Sequence, residues 1–159
     1  MLGGAAALLG AGKLRAQDAL AADKRPILTV TGNIRGDGPR DFTLATLEAL
    51  GVESLTTLTP WTAGLQHFSG VPLGRLLSAV GVRSPNLRMI ALNDYQITIP
   101  TQDATEHQPI LATRLDGQVM RVREKGPIWL IYPWSQRPNL DNPAFYERGI
   151  WQLRRIEAY

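Results

Sequence analysis

The sequence predicts an α+β fold built mostly from antiparallel and mixed sheets, with a few short helices. Three observations lead there. Eleven prolines and fifteen glycines in 159 residues punctuate the chain too often for long helices. Short β-branched and aromatic runs, Ile128 to Ile131 the clearest, recur between turn residues. Asn93-Asp94 and Asp116-Gly117 each separate two such runs, as two-residue hairpin turns do. A hydrophobic fraction of 44% is enough for one core.

In order, residues 1–22 read as a leader. Their Ala/Leu/Gly-rich stretch from Leu2 to Gly12 has the length of a signal-peptide core and is too short to span a bilayer. Small residues at Leu14-Arg15-Ala16 and Ala19-Leu20-Ala21 suit cleavage, so residues 23–159 are expected to form one exported domain. A flexible Ala-rich tail is the plainer alternative.

Ile27 to Thr31 is expected as a strand. Thr43 can cap a helix running to Leu50, with Phe42 and Leu47 at the hydrophobic-staple positions and Gly51 following its end. Ser54 to Thr59 reads as a strand, broken by the loop Pro60-Trp61-Thr62-Ala63-Gly64. Pro72 opens a helix whose Leu73, Leu76, Leu77 and Val80 share a face and which Gly81 ends. Hairpins follow over 88–99 and 110–122, with a polar segment or single helical turn at 101–109. The buried strand 128–132 stops at Pro133, residues 135–148 are a Pro/Asn loop, and 151–158 forms the last strand.

Composition also excludes chemistry. Without any cysteine there are no disulfides, thiolate zinc sites or cysteine nucleophiles. The formal charge of +3 comes from scattered cations, not the concentrated basic patch of a nucleic-acid binder. Asp103, Glu106 and His107 fall on one face of a helical turn, where solvated surface is the expected reading and a metal cluster would need further ligands.

The order of motifs resembles the sulfite-oxidase-type molybdopterin-binding domain across residues 27–158. It is carried by the Phe42-Thr43-Leu44 helix start, Phe68-Ser69-Gly70-Val71-Pro72-Leu73, Asn93-Asp94-Tyr95, Ile97-Thr98-Ile99-Pro100 and Gly126-Pro127-Ile128-Trp129-Leu130-Ile131-Tyr132-Pro133. One departure matters. The resemblance implies a molybdenum-ligating cysteine near Thr57 to Thr59, and this chain has none. The wording of residues 92–95 and 125–133 is similar to the narrower PruR-type group, cysteine-less exported proteins. That likeness implies a periplasmic pterin-binding protein that carries no molybdenum. It further implies a partner, the periplasmic region of a membrane-bound diguanylate cyclase or phosphodiesterase of cyclic-di-GMP turnover.

A pterin needs an aromatic face, an acceptor for its 2-amino and N3 hydrogens, and donors for its 4-oxo edge. Asp94 suits the acceptor role, although Asn93-Asp94 also suits a turn for its own sake. Trp61 and Trp134, each following a proline in a loop after a strand, are candidate stacking faces, with packing as the rival; Trp129 and Trp151 read as core. Thr59 stands near the lost ligand position. Lys125 and Arg123, and more weakly Arg114, are candidate cationic donors, against solvation as the commoner fate. Asn93, Tyr95 and Ser135 complete the candidate set as neighbours. Two rival readings remain: a molybdopterin-dependent oxidoreductase with an atypical metal site, and an interaction module without a ligand.

Overall fold

A computed structural model describes residues 23–159; the leader expected over 1–22 lies outside them. The chain forms two five-stranded sheets sharing one hydrophobic cluster. The first has the order β2-β1-β10-β5-β6, made of β1 (Leu28–Gly32), β2 (Arg40–Phe42), β5 (Asn86–Ala91), β6 (Gln96–Pro100) and β10 (Leu153–Ala158). Only β1 and β10 pair in parallel within it; the rest are antiparallel. The second runs β3 (Glu53–Thr57), β4 (Gln66–Pro72), β7 (Ile110–Leu115), β8 (Gln118–Val119), with β9 (Trp129–Ile131) also paired to β7.

Side-chain alternation sets the faces. In β1, Leu28 and Val30 are buried while Thr29 and Thr31 are partly exposed, the period of a strand with one face on the core. The helices follow their local signals. In α1 (Leu44–Glu48), the Thr43 hydroxyl accepts from the Thr46 N–H at 3.1 Å and Thr46 Oγ1 accepts from the Thr43 N–H at 2.8 Å. Thr46 here fills the place that Glu or Gln takes in the usual capping box. In α2 (Leu73–Val80), all four predicted apolar positions are buried, and Gly81 adopts the left-handed cap conformation.

Four expectations are corrected. The sequence pattern predicts no strand over residues 66–71, yet β4 lies inside the second sheet, flanked by β3 and β7. Its glycine explains why the sequence pattern was weak: a Cβ on Gly70 would sit 2.0 Å from the Leu111 carbonyl oxygen, so the strands approach too closely for a side chain. The short β2 was likewise unassigned. The strand expected through 122 ends at Val119, after which Val122–Glu124 forms a 3-10 turn closed by Lys125 at φ 73°. The last strand starts at Leu153 and not at 151, because Gln152 takes φ 53° and donates its N–H to the Lys125 carbonyl at 3.0 Å.

A candidate pterin-sized site beside the tryptophan cluster

Loops at one end of the sheets enclose a cavity of about 510 Å³, within the range that small organic ligands use. Three segments line it. The loop after β3 supplies Pro60 and Trp61; the end of β5 and its turn supply Ala91, Asn93 and Tyr95. The third segment runs from α4 (Pro143–Tyr146) to Trp151 and brings Tyr146, Glu147 and Gly149.

Trp61 is the hinge of the arrangement. Its ring centroid lies 5.3 Å from Trp151, 5.7 Å from Trp134 and 6.0 Å from Trp129, mostly in edge or tilted geometry. The Trp129 indole N–H donates to the Gly149 carbonyl at 3.1 Å, and that of Trp134 to the Phe145 carbonyl at 3.2 Å. The third wall is thereby tied to the core at two carbonyls. Gly149 permits this: a Cβ there would meet the Trp134 ring at 2.7 Å. The Lys125 ammonium stands 4.6 Å from the Trp151 ring centroid and 5.7 Å from that of Trp129, a cation–π placement at the edge of the site.

A buried polar network anchors the same wall. Asp103, on α3 (Asp103–Glu106), is 3% exposed. It accepts from the Tyr132 hydroxyl at 2.6 Å and from Arg148 Nη1 at 2.8 and 2.6 Å. Arg148 lies between the cavity residues Glu147 and Gly149, and its guanidinium stacks 4.4 Å from the Phe145 centroid. Burial, reinforced by the hydrogen bond to Asp103, holds the Tyr132 phenol far above its ordinary pKa. The expectation of solvated surface for Asp103 is therefore corrected: the carboxylate is buried because a cation and a hydroxyl satisfy it.

The predicted site residues separate into distinct groups. Trp61, Asn93 and Tyr95 line the cavity, and Lys125 flanks it. Trp134 is corrected from a stacking face to a core residue at 1% exposure; its ring packs inward while the next residues, Ser135 and Gln136, are exposed. Asp94 does not line the cavity; at φ 64° it forms the turn and pairs with Arg154 on the far side. Arg114 lies away from the cavity and binds Glu48 through two hydrogen bonds of 2.9 and 3.0 Å, which raise its pKa. Arg123 is largely solvated, with Glu124 at 3.9 Å.

Thr59 and Ser135 line a smaller hollow of about 150 Å³ that adjoins the cavity through Pro60 and Tyr146. Three residues missing from the sequence-based set are Tyr146, Glu147 and Trp151. The sequence signal for them was the string Phe145-Tyr146-Glu147-Arg148-Gly149, an acid beside aromatics just before the last strand, inside what read as a plain loop. Tyr146 donates to Asp141, which raises its pKa. Glu147 is exposed, and its carboxylate has no hydrogen-bond or ion-pair partner among the described residues; its backbone N–H donates to the Pro143 carbonyl at 3.0 Å.

The hydroxyls in the expected metal-ligand region are already engaged. Thr57 Oγ1 lies 3.1 Å from Ser135 Oγ and accepts from the Ser135 N–H at 3.1 Å. Thr59 Oγ1 lies 2.7 Å from Thr62 Oγ1 and accepts from the Trp61 N–H at 3.2 Å. Neutral hydroxyls held in closed pairs do not supply the anionic thiolate that such a metal site is expected to use. Nor does any group of three His, Cys, Asp or Glu among the described residues converge as metal ligands.

The comparisons agree with this architecture. No curated protein matches the chain by sequence. Among solved structures, the sulfane dehydrogenase SoxCD from Paracoccus pantotrophus superposes with a TM-score of 0.63 at 21% identity. The match covers 83% of this chain and 37% of the SoxCD chain, so the present chain spans well under half of that protein's length. It establishes the fold, a sulfite-oxidase-type molybdopterin domain. The family described as "Oxidoreductase molybdopterin binding domain" matches residues 26–136, well over half of the sequence. The chain belongs to that family.

Proposed function

We propose that the protein is a non-catalytic, periplasmic pterin-binding protein that reports ligand occupancy to a membrane-bound enzyme of cyclic-di-GMP turnover. The observation that carries the binding half is the cavity itself. It combines aromatic surface from Trp61, Tyr95, Tyr146 and Trp151 with one unpaired carboxylate, Glu147, and the Asn93 amide. A carboxylate accepts two parallel hydrogen bonds, which is what the 2-amino and N3 edge of a neopterin- or monapterin-like ring presents. Glu147 thus takes the role first assigned to Asp94.

Family membership supports a pterin as the ligand class, and the lack of a thiolate argues against oxygen-atom transfer. Export rests on the leader-like composition of residues 1–22. The signalling half rests on the resemblance of residues 92–95 and 125–133 to the PruR-type group. No helix among the described residues is long and apolar enough to cross a membrane.

The test is a titration of the purified protein with neopterin, followed by the quenching of pterin fluorescence, with molybdenum assayed on the same sample. Saturable, metal-free binding is expected. Glu147→Gln removes a charge-assisted interaction of about 1.5–3 kcal/mol and so raises the Kd by roughly 10- to 150-fold. Stoichiometric molybdenum in the purified protein would overturn the non-catalytic reading and favour the oxidoreductase.

A further inference from the structure

A second concavity, of about 810 Å³, opens on the other side of the β5–β6 turn. Its floor is apolar, with Leu28, Leu44 and Met120 among the lining residues, and two large apolar side chains stand exposed near it, Leu92 at 43% and Val122 at 52%. Four arginines line it: Arg25, Arg121, Arg154 and Arg155. The one carboxylate in the lining, Asp23, is engaged by Arg25, and Asp94 engages Arg154 from outside. The guanidinium groups of Arg121 and Arg155 have no carboxylate partner among the described residues, although the Arg121 backbone N–H donates to the Glu124 carboxylate at 3.1 Å. An apolar trough bordered by unneutralised guanidinium groups is complementary to an acidic segment that carries apolar side chains.

We infer that this groove is the docking surface for an acidic, apolar-tipped segment of the protein partner, and that it reads the pterin cavity through the β5–β6 turn. The inference rests on the signalling reading above. The chain's own leader is a poor occupant by charge: residues 1–22 contain Lys13 and Arg15 against Asp18 alone, so they are not acidic. The coupling is geometric. Leu92 belongs to the groove, whereas Ala91, Asn93 and Tyr95 belong to the cavity. Arg154, in the groove, donates from Nε to the Ala91 carbonyl at 3.2 Å and pairs with Asp94 at the crest of the turn. A ligand held by Asn93 and Tyr95 fixes a turn whose reverse side is the groove wall. Differential affinity of the partner for the free and fixed turn is what signalling requires.

The experiment measures binding of the purified protein, with and without neopterin, to the purified periplasmic region of the membrane-bound cyclic-di-GMP enzyme. Neopterin is expected to change the affinity. The double variant Arg121→Glu/Arg155→Glu, at two exposed positions outside the pterin cavity, is expected to weaken the complex by at least ~10-fold, because like charges then face each other. Its neopterin Kd stays within about twofold of wild type, since no charge near the ring has changed. Val122→Asp provides an independent check on the apolar edge and is expected to weaken the complex in the same way. A complex indifferent to both variants refutes the groove and leaves the pterin-signalling reading standing. Absence of any complex in either pterin state refutes the groove together with the partner half of that reading, while the separate pterin titration decides the binding half.

Discussion

Replacing Asp103 with alanine removes the hub that holds the cavity's third wall. Two groups lose their acceptor: the fully buried Tyr132 hydroxyl and the Arg148 guanidinium, whose side chain is 26% exposed. Removing one partner of a buried, hydrogen-bonded ion pair costs about 3–5 kcal/mol. Arg148 can recover some hydration through its exposed part, which favours the lower end, about 3 kcal/mol, including the stranded hydroxyl. Against a total stability of about 5–15 kcal/mol, that is a large fraction but leaves a folded protein in most of the range. Urea unfolding of wild type, Asp103→Ala, Arg148→Met and the double variant then gives the coupling directly. Coupling of at least ~1 kcal/mol is expected for a buried charge pair. The readout specific to wall anchoring is pterin affinity. Asp103→Asn keeps an acceptor for Tyr132 but releases the guanidinium charge, and it is expected to weaken neopterin binding while Glu147 is still present. Additive single variants, together with unchanged neopterin affinity in Asp103→Asn, would refute the account of Arg148 as the anchor of that wall.

Gly70→Ala is expected to cost ~4 kcal/mol or more, or to abolish folding. The new methyl would meet backbone, the Leu111 carbonyl, which cannot swing aside as a side chain can; near-wild-type unfolding by urea would contradict the close β4–β7 approach. Tyr132 predicts the alkaline limb of stability. Its folded pKa lies above the unfolded value of 10.0, so its contribution is fully present below pH 10. Above that pH the unfolded phenol ionises while the folded one keeps its proton, and stability falls by about 1.4 kcal/mol per pH unit. Tyr132→Phe is expected to flatten this limb in pH-dependent unfolding, and an unchanged slope would count against the buried phenol.

Elements with a strong local signal were legible from sequence. Thr43 and Gly81 mark helix ends through their own backbone chemistry, and Asp116-Gly117 marks a hairpin. Leu73, Leu76, Leu77 and Val80 mark a buried face by spacing alone. What escaped depended on long-range contact. Gly70 looks like a breaker in isolation, and only the nearness of Leu111 makes it part of a strand. Trp134 follows a proline in a loop, the ordinary setting of an exposed aromatic, but the Phe145 carbonyl offers its indole a partly buried acceptor. Trp151 reads as a core residue in the sequence, yet the left-handed Gln152 delays the strand and the ring lines the cavity. Asp94 and Glu147 show the limit most clearly. Both are exposed acids beside tyrosines; Glu147 lines the cavity, whereas Asp94 pairs with Arg154, sixty residues away in sequence.

The indole cluster also has an optical consequence. The sequence contains four tryptophans, and all four belong to the group around Trp61. At such separations an excitation absorbed by one indole can migrate to the others, so the protein's ultraviolet-excited tryptophan emission reports on this one locality. The arginine groove contributes no indole and is silent in that signal. A spectral shift on adding a small molecule therefore localises the event to the cavity end of the chain without any label. A partner without tryptophan that docks in the groove becomes visible in the same spectrum when it moves the turn between them.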